Sequence, residues 1–317
     1  MAEGAGGRRF DILVLNQISV NGLKRLPAGV YSTGKEVAAP DAVLVRSADM
    51  QAMVIPKSVL AIARAGAGTN NIPVAAMSAR GVPVFNAPGA NANAVKELVL
   101  TGMLLAARNI APALRFVGGL DPAMADMEKA VEDGKKNFAG FELAGHTLGI
   151  VGLGKVGCLV ADAAIKLGMQ VLGYDPDITV DAAWSLPAQV KKAATVAEVL
   201  KNADFVTLHV PLVAATRDLV NADNLKLMRA GAVLLNFSRE GVVSEAAVLA
   251  ALDARQLGAY VCDFPSAAIN QHPRVIALPH LARPPGRPRK TAPSWWSISC
   301  ATSWNTATWS MQSTSRR

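Results

Sequence analysis

The chain has 317 residues, of which 51% are hydrophobic, and its formal net charge at pH 7 is +8. This length accommodates two domains of ordinary size. No apolar run reaches the roughly 18 residues of a membrane span, and the Gly-rich, basic start of the chain lacks the apolar core of a signal peptide.

Most of the excess of basic residues lies at one end of the chain. Residues 282–317 contain six basic residues and no acidic residue, whereas the rest contains 26 basic and 24 acidic residues. A nearly neutral body predicts no nucleic-acid partner and no membrane partner. The three cysteines show no paired spacing, which predicts neither a disulfide framework nor a metal site and fits a cytoplasmic location.

The first hundred residues alternate between strand and helix patterns. Short apolar runs predict strands at Phe10–Leu15, Ala42–Val45, Ala61–Ala63 and Val84–Asn86. Gly, Pro and Asn punctuate the joints, and a longer helical pattern then runs from Asn93 to about Arg108. Such alternation is typical of a parallel sheet wrapped by helices.

A glycine-rich motif follows the next predicted strand, Thr147–Val151. In Gly152-Leu153-Gly154-Lys155-Val156-Gly157, the first glycine permits a tight turn and the second lets a pyrophosphate approach the backbone. The third lets the following helix pack closely on the sheet, and the N-terminus of that helix favours phosphate. The motif therefore predicts dinucleotide binding.

Asp175 ends the strand after this motif, Gln170–Tyr174, and stands 18 residues beyond Gly157. A carboxylate at this point accepts hydrogen bonds from both ribose hydroxyls and repels a 2′-phosphate. The cofactor predicted from these residues is NAD.

The alternation resumes after Asp175. Further strands are predicted at Phe205–His209, Ala232–Phe237, Ala259–Cys262 and Val275–Leu278. Distinctive polar residues follow several of them, and the carboxyl ends of parallel strands meet at one edge of a sheet. We therefore expect these residues to share one cleft.

The order of the motifs resembles that of the D-isomer-specific 2-hydroxyacid dehydrogenases, and most closely their phosphoglycerate branch, over residues 10 to about 281. The resemblance is carried by LVRSADM (44–50), RAGAGTNNI (64–72), FNAPGANANAVKELV (85–99), GIVGLGKVG (149–157), LHVPL (208–212), LLNFSREG (234–241) and VIALPHL (275–281). It implies an α/β fold in which a Rossmann dinucleotide-binding domain is inserted in a flavodoxin-like substrate domain. The implied limits are 1–95 for the substrate domain, 96–281 for the NAD-binding domain and 282–317 for an aberrant tail.

The resemblance implies two catalytic residues. Arg239 matches the arginine that holds the substrate carboxylate in two parallel bonds; the simpler alternative is a surface arginine paired with Glu240. His280 matches the acid/base histidine, whose ordinary pKa near 6.5 suits proton transfer near neutrality. The simpler alternative for His280 is a boundary residue without a catalytic role.

A third member of the family's site, a glutamate that pairs with the histidine, is missing from this sequence. Phe264-Pro265-Ser266-Ala267-Ala268 occupies its place. We therefore expect His280 to lack a charge partner and an orienting hydrogen bond, and turnover to be reduced but not abolished.

The resemblance also implies the remaining site residues. Besides the glycines and Asp175, the cofactor set comprises Lys155, Val156, His209, Val210, Pro211, Thr216, Phe237, Ser238 and Asp263. The substrate set, which lies in the first domain, comprises Arg46, Ser47, Gly66, Ala67, Gly68 and Asn86. The second arginine that many phosphoglycerate enzymes carry near Arg46 is not supplied by Ala48 or Asp49.

The function implied is hydride transfer between NAD and C2 of a small 2-hydroxy acid, most closely D-3-phosphoglycerate in serine biosynthesis, by a homodimer formed through the Rossmann domain. Two alternatives stay open. The missing second arginine favours a glyoxylate, hydroxypyruvate or D-lactate type reductase. The missing glutamate favours a catalytically impaired NAD-binding protein.

The composition changes abruptly at residue 282, directly after LPHL. From there the chain is rich in Arg and Pro and then in Ser, Thr and Trp, with four of the five tryptophans beyond residue 294. GC-rich codons chosen for residues 282–317 and displaced by one nucleotide read GASTGEAEENC and onward, which restores the family's PHLGAST. The hypothesis is that this segment is translated in a shifted reading frame.

Overall fold

A computed structural model of the chain describes residues 8–16, 18–66, 68–87, 89 and 91–281. They form two compact units that divide between residues 90 and 91. The expected boundary at residue 95 falls within the first helix of the second unit. Ala67 and the segment 282–317, on which the tail hypothesis depends, lie outside the described residues.

The first unit is built on five parallel strands. They are β1 (Phe10–Leu15), β2 (Tyr31–Gly34), β3 (Ala42–Val45), β4 (Ala61–Arg64) and β5 (Val84–Phe85), with short helices α1 (Val20–Leu23) and α2 (Val74–Ala79). The sheet order β2-β1-β3-β4-β5 is that of flavodoxin-like folds. All four residues of the central strand β3 are buried, as expected for a parallel sheet covered on both faces.

The second unit contains eight helices and seven strands among its described residues. The helices are α3 (Ala92–Ala107), α4 (Ile110–Gly118), α5 (Met127–Lys135), α6 (Lys155–Lys166), α7 (Val180–Ser185), α8 (Val196–Asn202), α9 (Ala222–Leu225) and α10 (Glu245–Asp253). The strands are β6 (Thr147–Val151), β7 (Gln170–Tyr174), β8 (Lys191–Lys192), β9 (Phe205–Leu208), β10 (Ala232–Asn236), β11 (Leu257–Cys262) and β12 (Val275–Ala277).

The seven strands pair in parallel in the order β12-β11-β10-β9-β6-β7-β8. Read from β8, this is the doubly wound Rossmann order with one strand added. The direction of winding reverses between β6 and β9, and ligands of such folds bind outside the carboxyl ends of the strands at that point. The predicted fold class of both sheets is thus confirmed.

The core of the second unit lies on both sides of its central strands. Every residue of β9 and β10 is buried. Helix α3 approaches the sheet closely at Gly102, where a methyl group would lie 2.8 Å from Cγ1 of Val261. This packing holds the carboxyl ends of β10 and β11 on a rigid support.

None of the described helices is by itself both long and apolar enough to cross a membrane. Helices α3 and α4 meet the requirements of length and composition only when taken together, and they are bent by 70° at their junction.

Candidate active site

The glycine motif forms the turn between β6 and α6, and each glycine has a separate steric reason. Gly152 has φ +96°, and a methyl group there would lie 2.6 Å from the carbonyl oxygen of His209. A methyl group at Gly157 would lie 2.1 Å from the carbonyl oxygen of Gly152. At Gly154 the same group would meet nothing within 4 Å, so the space above the turn is open.

Helix α6 begins at this open space. Lys155 and Val156 are its first residues, and no side chain caps its N-terminus. The leading N–H groups and the positive end of the helix dipole therefore favour an anion there. This geometry fits a pyrophosphate.

Asp175 stands next to the turn at the end of β7. Its Oδ2 accepts a hydrogen bond of 2.8 Å from the N–H of Leu153, and its Oδ1 accepts one of 3.0 Å from the N–H of Asp177. The carboxylate is therefore fixed beside the glycine turn, in the position that ribose recognition requires.

His209 and the two residues after it follow β9 across the switch point from the turn. The N–H of His209 donates to the carbonyl oxygen of Val151 at 2.7 Å, and its Nε2 lies 3.0 Å from Oγ1 of Thr207. Burial lowers the pKa of His209 to about 3, so the ring is neutral at physiological pH. A neutral ring with these two contacts fits the structural role predicted for this histidine.

The loop after His209 is closed by Thr216. The Oγ1 of Thr216 accepts a hydrogen bond from the N–H of Val213 at 2.9 Å and donates one to the carbonyl oxygen of Pro211. Val210 is half-buried in the same loop. These contacts hold the loop at the carboxyl edge of the sheet.

The segment after β10 carries three of the predicted residues. Phe237 and Ser238 are buried, and Oγ of Ser238 donates to the carbonyl oxygen of Leu208. Asn236 fixes the loop, because its Oδ1 accepts from the N–H of Ser238 at 3.0 Å and its Nδ2 donates to the carbonyl oxygen of Arg239 at 2.9 Å. The backbone of Arg239 is therefore anchored.

The side chain of Arg239 is half-buried, and its Nη1 donates to the carbonyl oxygen of Ser238 at 2.6 Å. The described residues contain no ion pair between Arg239 and Glu240, so the simpler alternative of a surface pair does not describe this arginine.

His280 has a carboxylate partner, which differs from the expectation that it would lack one. Its Nδ1 lies 2.7 Å from Oδ2 of Asp263, whose side chain is 1% exposed. The segment 264–268, which occupies the place of the family's glutamate, contains no carboxylate, and Ala267 within it is exposed. The carboxylate comes instead from the end of β11, beside the strand that leads to His280.

Phe264 connects Arg239 and His280 and was not predicted as a site residue. Its ring centroid lies 4.7 Å from that of His280, and the guanidinium carbon of Arg239 lies 5.8 Å from the same centroid. Both catalytic candidates therefore contact one aromatic ring. The only signal in the sequence was the position of Phe264 two residues after a strand end, next to Asp263.

The other oxygen of Asp263, Oδ1, is buried and has no hydrogen-bond partner among the described residues. An unpaired buried carboxylate oxygen is costly and fits a donor supplied from outside the chain. The carboxamide NH₂ of a nicotinamide is such a donor. Together with the open glycine turn and the placement of Asp175, this atom makes the residues present fit NAD.

The predicted substrate residues of the first unit lie at the carboxyl edge of its sheet. Arg46 and Ser47 follow β3, Gly66 and Gly68 follow β4, and Asn86 follows β5. Two backbone hydrogen bonds link the three loops: Ala65 N–H to the oxygen of Val45, and Ala87 N–H to the oxygen of Gly66. The structure brings these loops together.

Arg64 belongs to the same edge and was not predicted. It is opposite Val45 in the register of β3 and β4, so its Cα stands one strand away from the start of the Arg46 loop. Its Nε donates to Oδ1 of Asn71 at 2.9 Å, and Nδ2 of Asn71 donates to the oxygen of Ala48 at 2.7 Å. A second arginine therefore lies at this edge, on the strand next to the one that precedes Arg46.

A family model described as "D-isomer specific 2-hydroxyacid dehydrogenase, NAD binding domain" matches residues 103–282, more than half of the chain. The chain belongs to this family. The family and the NAD-binding domain that the sequence predicted are therefore confirmed for this chain.

Curated proteins related to this chain are named for different substrates. A D-3-phosphoglycerate dehydrogenase of Methanocaldococcus jannaschii is 38% identical over 202 residues, covering 64% of this chain and 36% of that protein. An (S)-sulfolactate dehydrogenase of Chromohalobacter salexigens is 36% identical over 231 residues, covering 70% of each. The chain spans 36–53% of the length of this and the other phosphoglycerate dehydrogenases that it matches.

Solved structures agree with the fold. A glyoxylate reductase from Paecilomyes thermophila superimposes with a TM-score of 0.74 at 21% identity, over 93% of this chain and 95% of that one. At this identity the similarity concerns the fold alone. Among the described residues, no group of three or more His, Cys, Asp and Glu side chains could hold a metal ion.

Proposed function

We propose that the chain is an NAD-dependent dehydrogenase that transfers a hydride between NAD and C2 of a 2-hydroxy acid. The observation that carries the proposal is the contact of Arg239 and His280 with one ring, that of Phe264. A guanidinium that binds a carboxylate lies close to an imidazole that can transfer a proton. This arrangement suits the carboxylate and the C2 hydroxyl of a 2-hydroxy acid.

The chain's own residues have separate tasks in this proposal. Arg239 holds the substrate carboxylate by two parallel hydrogen bonds and thereby orients C2. In the oxidative direction the hydroxyl proton passes to Nε2 of His280, because Nδ1 is engaged with Asp263, and the oxygen's electron pair forms the C=O bond. NAD, when bound, supplies the acceptor for the hydrogen of C2 with its electron pair.

The cofactor would be held by residues of the second unit. The N–H groups at the start of α6 bind the pyrophosphate, and Asp175 accepts the ribose hydroxyls. The remaining cofactor contacts are proposed for Val210, Pro211, Thr216, Phe237, Ser238 and Oδ1 of Asp263.

The substrate we propose is D-3-phosphoglycerate, oxidised in the step that opens serine biosynthesis. Two arginines at one edge of the first sheet, Arg46 and Arg64, suit the two charges of a phosphate. Ser47, Gly66, Ala67, Gly68 and Asn86 are proposed to complete the substrate site. The M. jannaschii relative is named for this substrate, and the sulfolactate relative for one with a different anion at the same end.

We also propose that the protein is a homodimer formed through the second unit and that it works in the cytoplasm. Helix α4 supports the dimer, because none of its residues is fully buried and it exposes Leu114 and Val117. The two cysteines of the described residues, Cys158 and Cys262, are free thiols, as a reducing compartment allows.

The test is a kinetic panel with NAD and four acids: D-3-phosphoglycerate, 3-sulfolactate, D-glycerate and D-lactate. We expect kcat/KM to be highest for the phosphorylated acid. The Arg46→Leu variant should lose about 10–100-fold on phosphoglycerate and little on glycerate. The control is Arg239→Leu, which should lose activity on every acid because all share the C2 carboxylate.

Two results would contradict the proposal. Equal kcat/KM for phosphoglycerate and glycerate would remove the phosphate from the assignment and favour a reductase of unphosphorylated acids. Tight NAD binding without turnover of any acid in either direction would favour a non-catalytic NAD-binding protein.

A further inference from the structure

An acid/base imidazole needs a partner for the nitrogen that does not transfer the proton. That partner selects the tautomer and fixes the direction of the ring. In this chain the only acidic side chain that hydrogen-bonds His280, within the described residues, is that of Asp263, at 2.7 Å from Nδ1. The contact leaves Nε2 for proton transfer.

We propose that Asp263 is the positioning carboxylate of His280 and takes the place of the acidic residue absent at position 267. The inference rests on the proposed dehydrogenase function, within which Asp263 acts through His280. Because the side chain of Asp263 is 1% exposed, water competes little for its oxygens.

Two features of the surroundings hold the pair in register. The N–H of Leu278 donates to the oxygen of Cys262 at 2.8 Å, so the backbone before His280 is joined to the backbone before Asp263. One hydrogen bond would still let the imidazole rotate about the line that joins Nδ1 of His280 to Oδ2 of Asp263. Phe264 restricts that rotation, since its ring packs against the imidazole at an interplanar angle of 37°.

The other candidate carboxylate in this region is engaged elsewhere. Oε2 of Glu245, on α10, accepts a hydrogen bond of 2.6 Å from Oγ of Ser266. Ser266 in turn accepts from the N–H of Ile269, so Glu245 anchors the turn that contains Ala267. Glu245 therefore serves as a matched control: it is a carboxylate of the same neighbourhood that holds a loop and not the imidazole.

The test measures the tautomer of His280 by ¹⁵N NMR on the ligand-free protein, at a pH where the ring is neutral. The chain has four histidines, so the His280 signals are assigned by their loss in His280→Gln. We expect the wild-type ring to carry its proton on Nδ1. In Asp263→Asn the amide NH₂ can donate to Nδ1, and the proton should move to Nε2.

Kinetics provide the second readout. For Asp263→Asn we expect kcat to fall by about 10²–10⁴-fold while the KM of the hydroxy acid changes by less than about threefold. Glu245→Gln should keep the wild-type tautomer and kcat. Ala267→Glu, which restores the family's acidic residue, should raise kcat by less than about twofold because the position is already served.

Several outcomes would overturn the inference. A neutral wild-type ring that carries its proton on Nε2 would contradict the inference. This measurement needs no variant, so it decides the matter even if Asp263→Asn fails to fold. Wild-type kcat in Asp263→Asn, a tautomer shift in Glu245→Gln, or a tenfold gain in Ala267→Glu would have the same effect. Failure of the proposed function is seen separately, as absence of turnover with an unchanged Nδ1–H signal.

Discussion

His209 shows how one side chain can make folding depend on pH without taking part in the reaction. Burial lowers its pKa from 6.5 to about 3 in the folded protein. Protonation therefore favours the unfolded chain: the stability of the neutral buried ring is fully present above about pH 6.5 and is lost as the pH falls from there towards 3.

We predict that His209→Gln removes this dependence. Between pH 7 and pH 5 the wild-type protein should lose up to about 1.4 kcal/mol of unfolding free energy per pH unit below 6.5 from this group. Urea unfolding at the two pH values measures the loss in each protein. Parallel pH profiles for wild type and variant would show that His209 contributes nothing.

At the residue scale, the sequence predicted steric roles well and missed a contact between two side chains. The tight turn at Gly152 and the close packing at Gly157 follow from the motif and are present, whereas the cofactor roles of Gly154 and Asp175 stay predictions. The pairing of Asp263 with His280 could not be predicted, since 17 residues separate them and only the register of β11 and β12 brings them together.

At the level of elements, buried strands were predicted almost to the residue, whereas two of the edge strands in the described sheets, β2 and β8, were missed. β3 and β6 have the expected limits, and both consist largely of buried apolar residues. β8 consists of two exposed lysines, and β2 buries only Tyr31. Edge strands with charged or polar residues carry no apolar pattern, although lysine there discourages pairing with other chains.

The junction of β6 and α6 allows a prediction that separates folding from cofactor binding. Gly154→Ala should leave stability within about 1 kcal/mol of wild type, since φ is −73° and the added methyl group meets nothing. It should weaken NADH binding at least about tenfold, because the methyl group occupies the space of the pyrophosphate. Fluorescence titration and thermal unfolding measure the two effects.

Gly157→Ala is the matched comparison on the same helix. Its methyl group would lie 2.1 Å from the oxygen of Gly152, so this variant should lose stability. NADH affinity in Gly154→Ala equal to that of wild type would contradict the placement of the phosphates above this turn.

At the level of the whole molecule, the exposed face of α4 leads to a prediction about assembly. Leu114 is 67% exposed and Val117 is 47% exposed, on a helix of which no residue is buried. If α4 lies in the dimer interface, Leu114→Glu with Val117→Glu should give a monomer in analytical ultracentrifugation, because charges are excluded from interface cores.

Val180→Glu is the control for this experiment. Val180 is 72% exposed on α7, and its replacement should leave the sedimentation coefficient unchanged. If the double variant of α4 stays dimeric, the interface does not lie on α4. If the wild-type protein is monomeric, the proposed homodimer is wrong.

Two hydrogen bonds join β11 and the residues just after it to the segment that carries His280, and both are formed by residues before position 282. One is a backbone bond from Leu278 to Cys262, and the other is the imidazole–carboxylate pair. The imidazole of His280 is thus anchored by residues that precede the segment 282–317. Chimeras that exchange residues 282–317 for an in-frame counterpart will therefore report what that segment adds to substrate capture, with the proton-transfer apparatus held constant.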